Sequence, residues 1–407
     1  MKIVLYEDAG WGDLRPLSLT RPVWEMRCGI YRLKDKIERQ LGCKIPNFIC
    51  RDYIAPLVKK EYPEAEVNTP VSNDTLLLNG RAILDRLQNL VCAKGTGCFY
   101  SSSEPVAAYL KDVPKDFPEK LTVENIREAL KSLPEREFSA KLLKFPWDFV
   151  NETSAEIERD LALTHGLLQS DEDEARQQGV HIIREERIYF GKGVKLSPGV
   201  VLDASEGTIV LGEGAHLMPN AVIMGPVAIG RESLVKAGTR IYGGTSIGPV
   251  CKVGGEIVAT VMQGYSNKQH EGFLGHAYIG EWCNIGAGTE NSDLKNNYTP
   301  VKVQIGERRV NSGQLFAGLY MGDHCKTGIN TTFNTGSVME VAAMAYGAGF
   351  QPRYIPSFHW SDGNTMKKAD FERTMETVSI VMGRRGKELS EEEIAVLRLI
   401  FDNFGNV

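Results

Sequence analysis

Residues 190–255 read FGKGVKLSPGVVLDASEGTIVLGEGAHLMPNAVIMGPVAIGRESLVKAGTRIYGGTSIGPVCKVGG, and taken in steps of six they hold one register. Apolar residues fall at Phe190, Leu196 and Leu202; after a three-residue insertion they resume at Leu211, Leu217, Ile223, Ile229, Val235, Ile241, Ile247 and Val253. Two positions earlier stand residues that are often small: Ala215, Ala221, Ser233, Thr239, Thr245 and Cys251. Residues i−2 and i face the same way on a strand, because side chains alternate. Glycine, proline, asparagine and charged residues fill the remaining places, where the chain must turn. This periodicity predicts a left-handed parallel β-helix of hexapeptide repeats, not a sandwich with irregularly spaced strands. Three hexapeptides close one triangular layer, so roughly eighteen residues add a layer.

The ladder lapses after Ala259, returns at Phe273, Ile279 and Ile285, and lapses again over roughly 291–318. It resumes at Met321, Thr327, Phe333, Met339 and Ala345. Loops that leave a regular scaffold are where binding and catalysis concentrate, so function is expected in the two lapses. Cys251, Cys283 and Cys325 take the small inward position, where a cysteine fills core and does no thiol chemistry.

Up to about residue 160 strand-like runs (KIVLYE, KIPNFIC, DTLLLNG) alternate with helical stretches such as VENIREALKSL. That order predicts an α/β, Rossmann-like domain over 1–160 with a mainly parallel sheet. The polar, acidic stretch from Asn151 to Gln178 reads as a linking helix or arm, placed at 161–178, with the domain boundary inside it. The coil then covers 179–360 and a helical segment 361–407. There Ser390 and Glu393 form a capping box ahead of Ile394, Leu397, Ile400 and Phe401 on one helix face.

A net charge of -5 over 407 residues gives no general affinity for polyanions, which argues against nucleic acid. No apolar run is long enough to cross a bilayer, and MKIVLYEDAG lacks the pattern of a secretory signal. Eight cysteines without a CxxC pair predict neither a zinc site nor a disulfide framework. The expectation is a soluble cytoplasmic chain without nucleic-acid or membrane partners.

The first lapse leads into GYSNKQHEGFLGHAYIGEWCNIGAGTENSDLKNNY (264–298), which gathers His270, His276, Lys268 and Lys295 around glycine-rich corners. A coil exterior beside a projecting loop makes a groove, and an imidazole there suits acyl transfer to an amine or hydroxyl. Backbone amides at nearby turns would stabilise the tetrahedral oxyanion. The plain alternative is a histidine that only satisfies backbone groups.

Within that stretch, H-E-G-F-L-G-H-A-Y-I-G-E-W-C-N-I-G-A-G-T resembles a motif of the bifunctional glucosamine-1-phosphate acetyltransferase/N-acetylglucosamine-1-phosphate uridyltransferase family. The motif runs H-x-x-Y-L-G-x-A-x-I-G-x-x-x-N-I-G-A-G-T. The resemblance implies that His270 is the catalytic base, that Phe273 stands at a sugar-contacting tyrosine, and that Asn284 and Ala287 contact ligand. With MGDHCKTGINTTFNTG and GAGFQPRYIPSF, the longer run looks like a bacterial branch of these enzymes, over nearly the whole chain. Two departures stand out: Phe273 lacks the tyrosine hydroxyl, and the family's Asn-Tyr pair is Asp293-Leu294. Lys268 and the LKNNY residues Lys295, Asn296 and Tyr298 are the expected replacement contacts. His276 reads as a corner residue. The resemblance further implies a homotrimer in which Lys326, Asn330 and Arg353 reach the acyl carrier of a neighbouring subunit.

Near the start, GWGDLRPLSLTRPV resembles G-x-G-T-R-L-R-P-L-T-x-x-x-P-K of the sugar-1-phosphate nucleotidyltransferases. There a glycine turn brings backbone amides to the nucleotide phosphates and basic side chains neutralise them. Gly10, Gly12, Arg15 and the run Pro16 to Pro22 match in kind, but Val23 stands at the lysine. Arg21 or Arg27 is the expected source of the missing charge. The family's second motif, a strand ending Gly-Asp whose aspartate holds magnesium, is LLLNGR here. Asn79 and Gly80 keep the turn; Arg81 cannot replace an oxygen ligand. KFPWDFVNET, with Asp148, resembles the PWDLL segment that closes this domain in archaeal members.

The resemblance thus implies acetyl transfer from acetyl-CoA to a hexosamine 1-phosphate and nucleotidyl transfer from a nucleoside triphosphate, UTP expected, with Mg2+ if that half works. The alternatives are an enzyme active in one half, or a non-catalytic trimeric scaffold that binds sugar nucleotides, which Arg81 favours.

Overall fold

A computed structural model describes residues 1–164, the backbone of 168–169, and 179–404. Of the expected linking segment 161–178, residues 165–167 and 170–178 lie outside the described residues.

The hexapeptide ladder becomes a three-faced parallel coil. Face A carries the inward column Phe190, Leu211, Ile229, Ile247, Met262, Ile279, Met321, Met339 and Ile355, each paired in parallel with the next. Face B carries Leu196, Leu217, Val235, Val253 and Lys268. Face C carries Ile182, Leu202, Ile223, Ile241, Ile257 and Leu274. Their apolar members form one continuous core. Cys251, Cys283 and Cys325 are buried in it, and burial pushes the Cys251 thiol up to about 12.

The first lapse is not a projecting loop. Strands Val261–Gly264, Asn267–Lys268 and Phe273–Gly275 continue all three faces through it. The step from Ile241 to Ile257, and again to Leu274, is shorter than a regular layer, so a fixed step of six slips by one. Leu274 therefore points inward and Phe273, which that step turned inward, points out. The second lapse does leave the coil. Residues 292–318 carry an antiparallel hairpin, Lys302–Ile305 with Arg308–Asn311.

In the N-terminal unit Lys2–Tyr6 lies between the parallel strands Asn47–Ile49 and Thr75–Asn79. The sheet has seven strands; Glu104–Leu110 runs antiparallel to both neighbours. Its core includes Val4, Tyr6, Leu77 and Leu110.

Two compact units divide between Phe145 and Pro146, earlier than the expected boundary at 160. The helix Pro146–Leu161 groups with the coil because its apolar side packs there: Trp147 meets Tyr320 edge-on at 6.3 Å and Phe149 meets Tyr278 at 6.0 Å. Segments Arg15–Leu19 and Arg27–Tyr31 also belong to the coil unit. So do the C-terminal helices, Phe371–Gly383, capped by Asp370, and Glu391–Asn403, where both bonds of the Ser390–Glu393 capping box form. Leu397 and Ile400 are buried on the second helix, while Ile394 is 36% exposed.

Candidate functional site

Corners of the coil stack as the faces do, and this gathers part of the motif. His270 lies at the corner between faces B and C, with its side chain exposed. One layer on, Gly288 N donates to Glu271 O at 3.0 Å; in the next, Asn330 N donates to Ala287 O at 2.7 Å. His270, Ala287 and Asn330 therefore line one edge. Asn284 and Lys326 sit on the outer side of face B, bridged in parallel as Asn267–Asn284–Lys326. Phe273 faces out on face C, paired with Glu256.

Lys268 is not on that surface. It takes an inward position, 1% exposed, and its Nζ donates to His270 O at 2.8 Å and Gly254 O at 3.2 Å. It thus ties down the corner that carries the imidazole. Burial, partly offset by Glu271 and Glu290, pushes its ammonium down to about 8.

Lys295 and Arg353 lie at the root of the 292–318 loop. Lys295 Nζ donates to Pro300 O at 2.6 Å and Arg353 Nη1 to Thr335 O at 3.0 Å. Desolvation and then the like charges of Arg353, Arg309 and Lys302 lower the Lys295 pKa. Asn296 and Tyr298 are exposed in the same loop. Lys326 lines a cavity of about 360 Å³ with Tyr346, Trp360, Lys367 and Arg373, its own Nζ bonded to His324 O at 3.1 Å.

His276 holds the next corner, between faces C and A. Its Nδ1 is 2.8 Å from Asp293 Oδ2, and its ring stacks on Phe316 with centroids 4.8 Å apart. A Cβ added to Gly275 would lie 2.5 Å from both Asp293 Oδ2 and the Phe273 ring. The signal for this pair was the Asp293-Leu294 departure itself, seventeen residues from a histidine and so about one layer away.

In the N-terminal unit the glycine turn is filled from below. Arg81 Nε and Nη2 each bond Asp8 at 2.8 Å, Asn79 Nδ2 bonds Asp8 Oδ2 at 2.9 Å, and Gly10 N bonds Asp8 Oδ1 at 3.0 Å. Burial alone would raise the Asp8 carboxyl, but Arg81 and these hydrogen bonds outweigh it and hold its pKa low. The guanidinium packs against Gly10, since a Cβ there would come within 2.5 Å of Arg81 Cζ. Gly80 is closed off by Trp24 and Val23, and Arg21 is buried. Gly12 has nothing within 4 Å of an added Cβ.

Arg15 and Arg27 belong to the coil unit, whereas the turn belongs to the N-terminal unit. Arg15 Nη2 pairs with the buried Glu340 at 2.7 Å, and Arg27 N bonds Gln263 Oε1 and the Tyr278 hydroxyl. The donors around Arg81 do not fit magnesium: both Asp8 oxygens face cationic or N–H donors, and arginine has no lone pair to give.

Residues 3–166 match the family model described as sugar nucleotidyl transferase, and 208–243 match six repeats of the bacterial transferase hexapeptide. The bifunctional protein GlmU of Methanococcus aeolicus is 33% identical over 194 residues, 47% of this chain and 39% of that one. That of Rippkaea orientalis is 29% identical over 163 residues, 35% of this chain and 36% of its own. Over these stretches the chain is similar to GlmU. A bifunctional sugar-1-phosphate nucleotidylyltransferase/acetyltransferase of Sulfurisphaera tokodaii is also similar, 33% identical over 91 residues, 22% of this chain and 23% of that one. The matched parts span less than two fifths of each of these three relatives. The chain joins a nucleotidyltransferase-like domain to a left-handed hexapeptide β-helix and C-terminal helices. No helix among its described residues is long and apolar enough to cross a membrane.

Proposed function

We propose that this chain is an enzyme of sugar-nucleotide biosynthesis whose coil transfers acetyl from acetyl-CoA to the amine of a hexosamine 1-phosphate. The observation that carries this reading is the edge on which His270, Ala287 and Asn330 stack in successive layers, with the His270 imidazole exposed. His270 removes a proton as the amine attacks the thioester carbon; the C–N bond forms, the C–S bond breaks and the thiolate is protonated. Phe273, Asn284 and the loop residues Lys295, Asn296 and Tyr298 are the sugar-phosphate side of this proposal. Lys326 and Arg353, with Asn330, are the carrier side; Lys367 and Arg373 beside Lys326 add charge suited to phosphates. Exposed Ile329, 70%, and Tyr346, 42%, belong to the same edge and support a homotrimer.

The N-terminal unit is assigned nucleotidyl transfer from UTP to the sugar 1-phosphate, on Gly10, Gly12 and Arg21. A second reading, in which the coil alone is active, rests on the Arg81–Asp8 pair at that turn. One assay separates them: purified chain with glucosamine 1-phosphate, acetyl-CoA and UTP, with and without Mg2+, read for thiol and pyrophosphate. Both products support the bifunctional reading, thiol alone the second, and neither removes the enzyme reading.

A further inference from the structure

Two imidazoles stand at opposite ends of strand Phe273–Gly275. The strand advances about 3.3 Å per residue and places the two histidines at different corners of the coil. Their surroundings differ too. Among the described residues the His270 ring has no hydrogen-bond partner, whereas His276 is fixed by Asp293 at Nδ1 and by Phe316 on its ring face. An imidazole oriented by a carboxylate, with its other nitrogen left for the reactant, is the arrangement that deprotonates a hydroxyl. An amine, far easier to hold unprotonated near neutral pH, makes less demand on its base. At the same loop root the like charges of Arg353, Arg309 and Lys302 bear on Lys295, an excess of positive charge over the neighbouring Asp293 and Glu307 that suits a phosphate. The outward Phe273 ring and Phe316 offer flat apolar faces beside Asp293 and His276.

We propose that the root of the 292–318 loop is a second reactive position of the coil, where His276, held by Asp293, takes the proton from a hydroxyl of a phosphorylated sugar as that oxygen attacks a thioester. The O–C bond forms, the C–S bond breaks, the proton passes to His276 Nε2 and the thiolate leaves to be protonated. His276 is the catalytic residue of this step and Asp293 its positioning residue. The inference rests on the acetyl-transfer reading for its donor, acetyl-CoA.

The test uses the full chain with acetyl-CoA and either glucosamine 1-phosphate or N-acetylglucosamine 1-phosphate, whose amine is blocked. Thiol release and product mass are read for each. The expected result is an O-acetylated product from the blocked sugar. Asp293→Asn and His276→Gln are expected to cut the ratio of O- to N-acetyl product by about 10²–10⁴, with KM for the blocked sugar nearly unchanged and partial recovery in Asp293→Glu. A ratio is insensitive to loss of folded protein. Acetylation of glucosamine 1-phosphate with none of the blocked sugar overturns this proposal and leaves the acetyl-transfer reading standing. An O-acetyl ratio unmoved in both variants also overturns it, and so does thiol release into water alone. Silence with both sugars removes the two readings together.

Discussion

The turn at Gly10 and the corner at His270 are both glycine-flanked features matched by a family motif, yet physically they are opposites. At the first, Arg81 and Asp8 pair beneath the chain at side-chain exposures of 7% and 5%, and the guanidinium packs against Gly10. At the second, the buried cation is Lys268, which holds the corner by its carbonyl and leaves the histidine facing solvent. A glycine motif fixes where a backbone can approach a ligand; the neighbouring side chains decide whether that approach is open.

The comparison breaks most sharply at Arg81. Arg81→Ala leaves a buried carboxylate unpaired and is expected to destabilise the N-terminal unit by about 3–5 kcal/mol in denaturant titration. Asp8→Asn with Arg81→Met should recover most of that loss, because burying the ion pair has its own desolvation cost. If Arg81→Ala proves neutral, the turn is not closed by this pair.

Lys268 sharpens the other side. Its folded pKa is about 8 against an unfolded value near 10.5, so between these limits the unfolded chain binds more protons and stability rises with pH. Below about pH 8 the penalty is fully present; above about 10.5 it is gone. The difference between wild type and Lys268→Met should therefore change by about 3 kcal/mol across that window. A pH-independent difference would mean that Lys268 is not buried as described.

Much of the coil was legible because a buried inward column forces one residue type at one interval. Leu211 to Val253 needed only that rule. It failed where layers shorten, since neither the slip at Phe273 nor the inward Lys268 leaves a mark in a fixed step of six. His276 and Asp293 stayed hidden for a related reason: partners one layer apart meet only once the layer length is known. The sequence did expose Arg81 as a misfit, but not the Asp8 partner that makes it stable, because that contact crosses two strands of the sheet. Arg15 and Arg27 read as one basic turn with Gly10, and only the fold showed their segments belonging to the coil unit.

Smaller effects refine the contrast. Gly10→Ala drives a Cβ into the Arg81 guanidinium and should cost about 1–3 kcal/mol, whereas Gly12→Ala should be close to neutral; equal costs would contradict the packing at the turn. Ser390→Ala removes one half of a capping box and should cost about 1 kcal/mol, read by the melting temperature of the coil unit.

The most direct test of the open corner is thiol release from acetyl-CoA with glucosamine 1-phosphate, wild type against His270→Ala, at matched folded protein. The account predicts release by the wild type and a fall of about 10²–10⁴ in kcat for the variant. A wild type that releases no thiol, or a variant that matches it, would contradict the assignment.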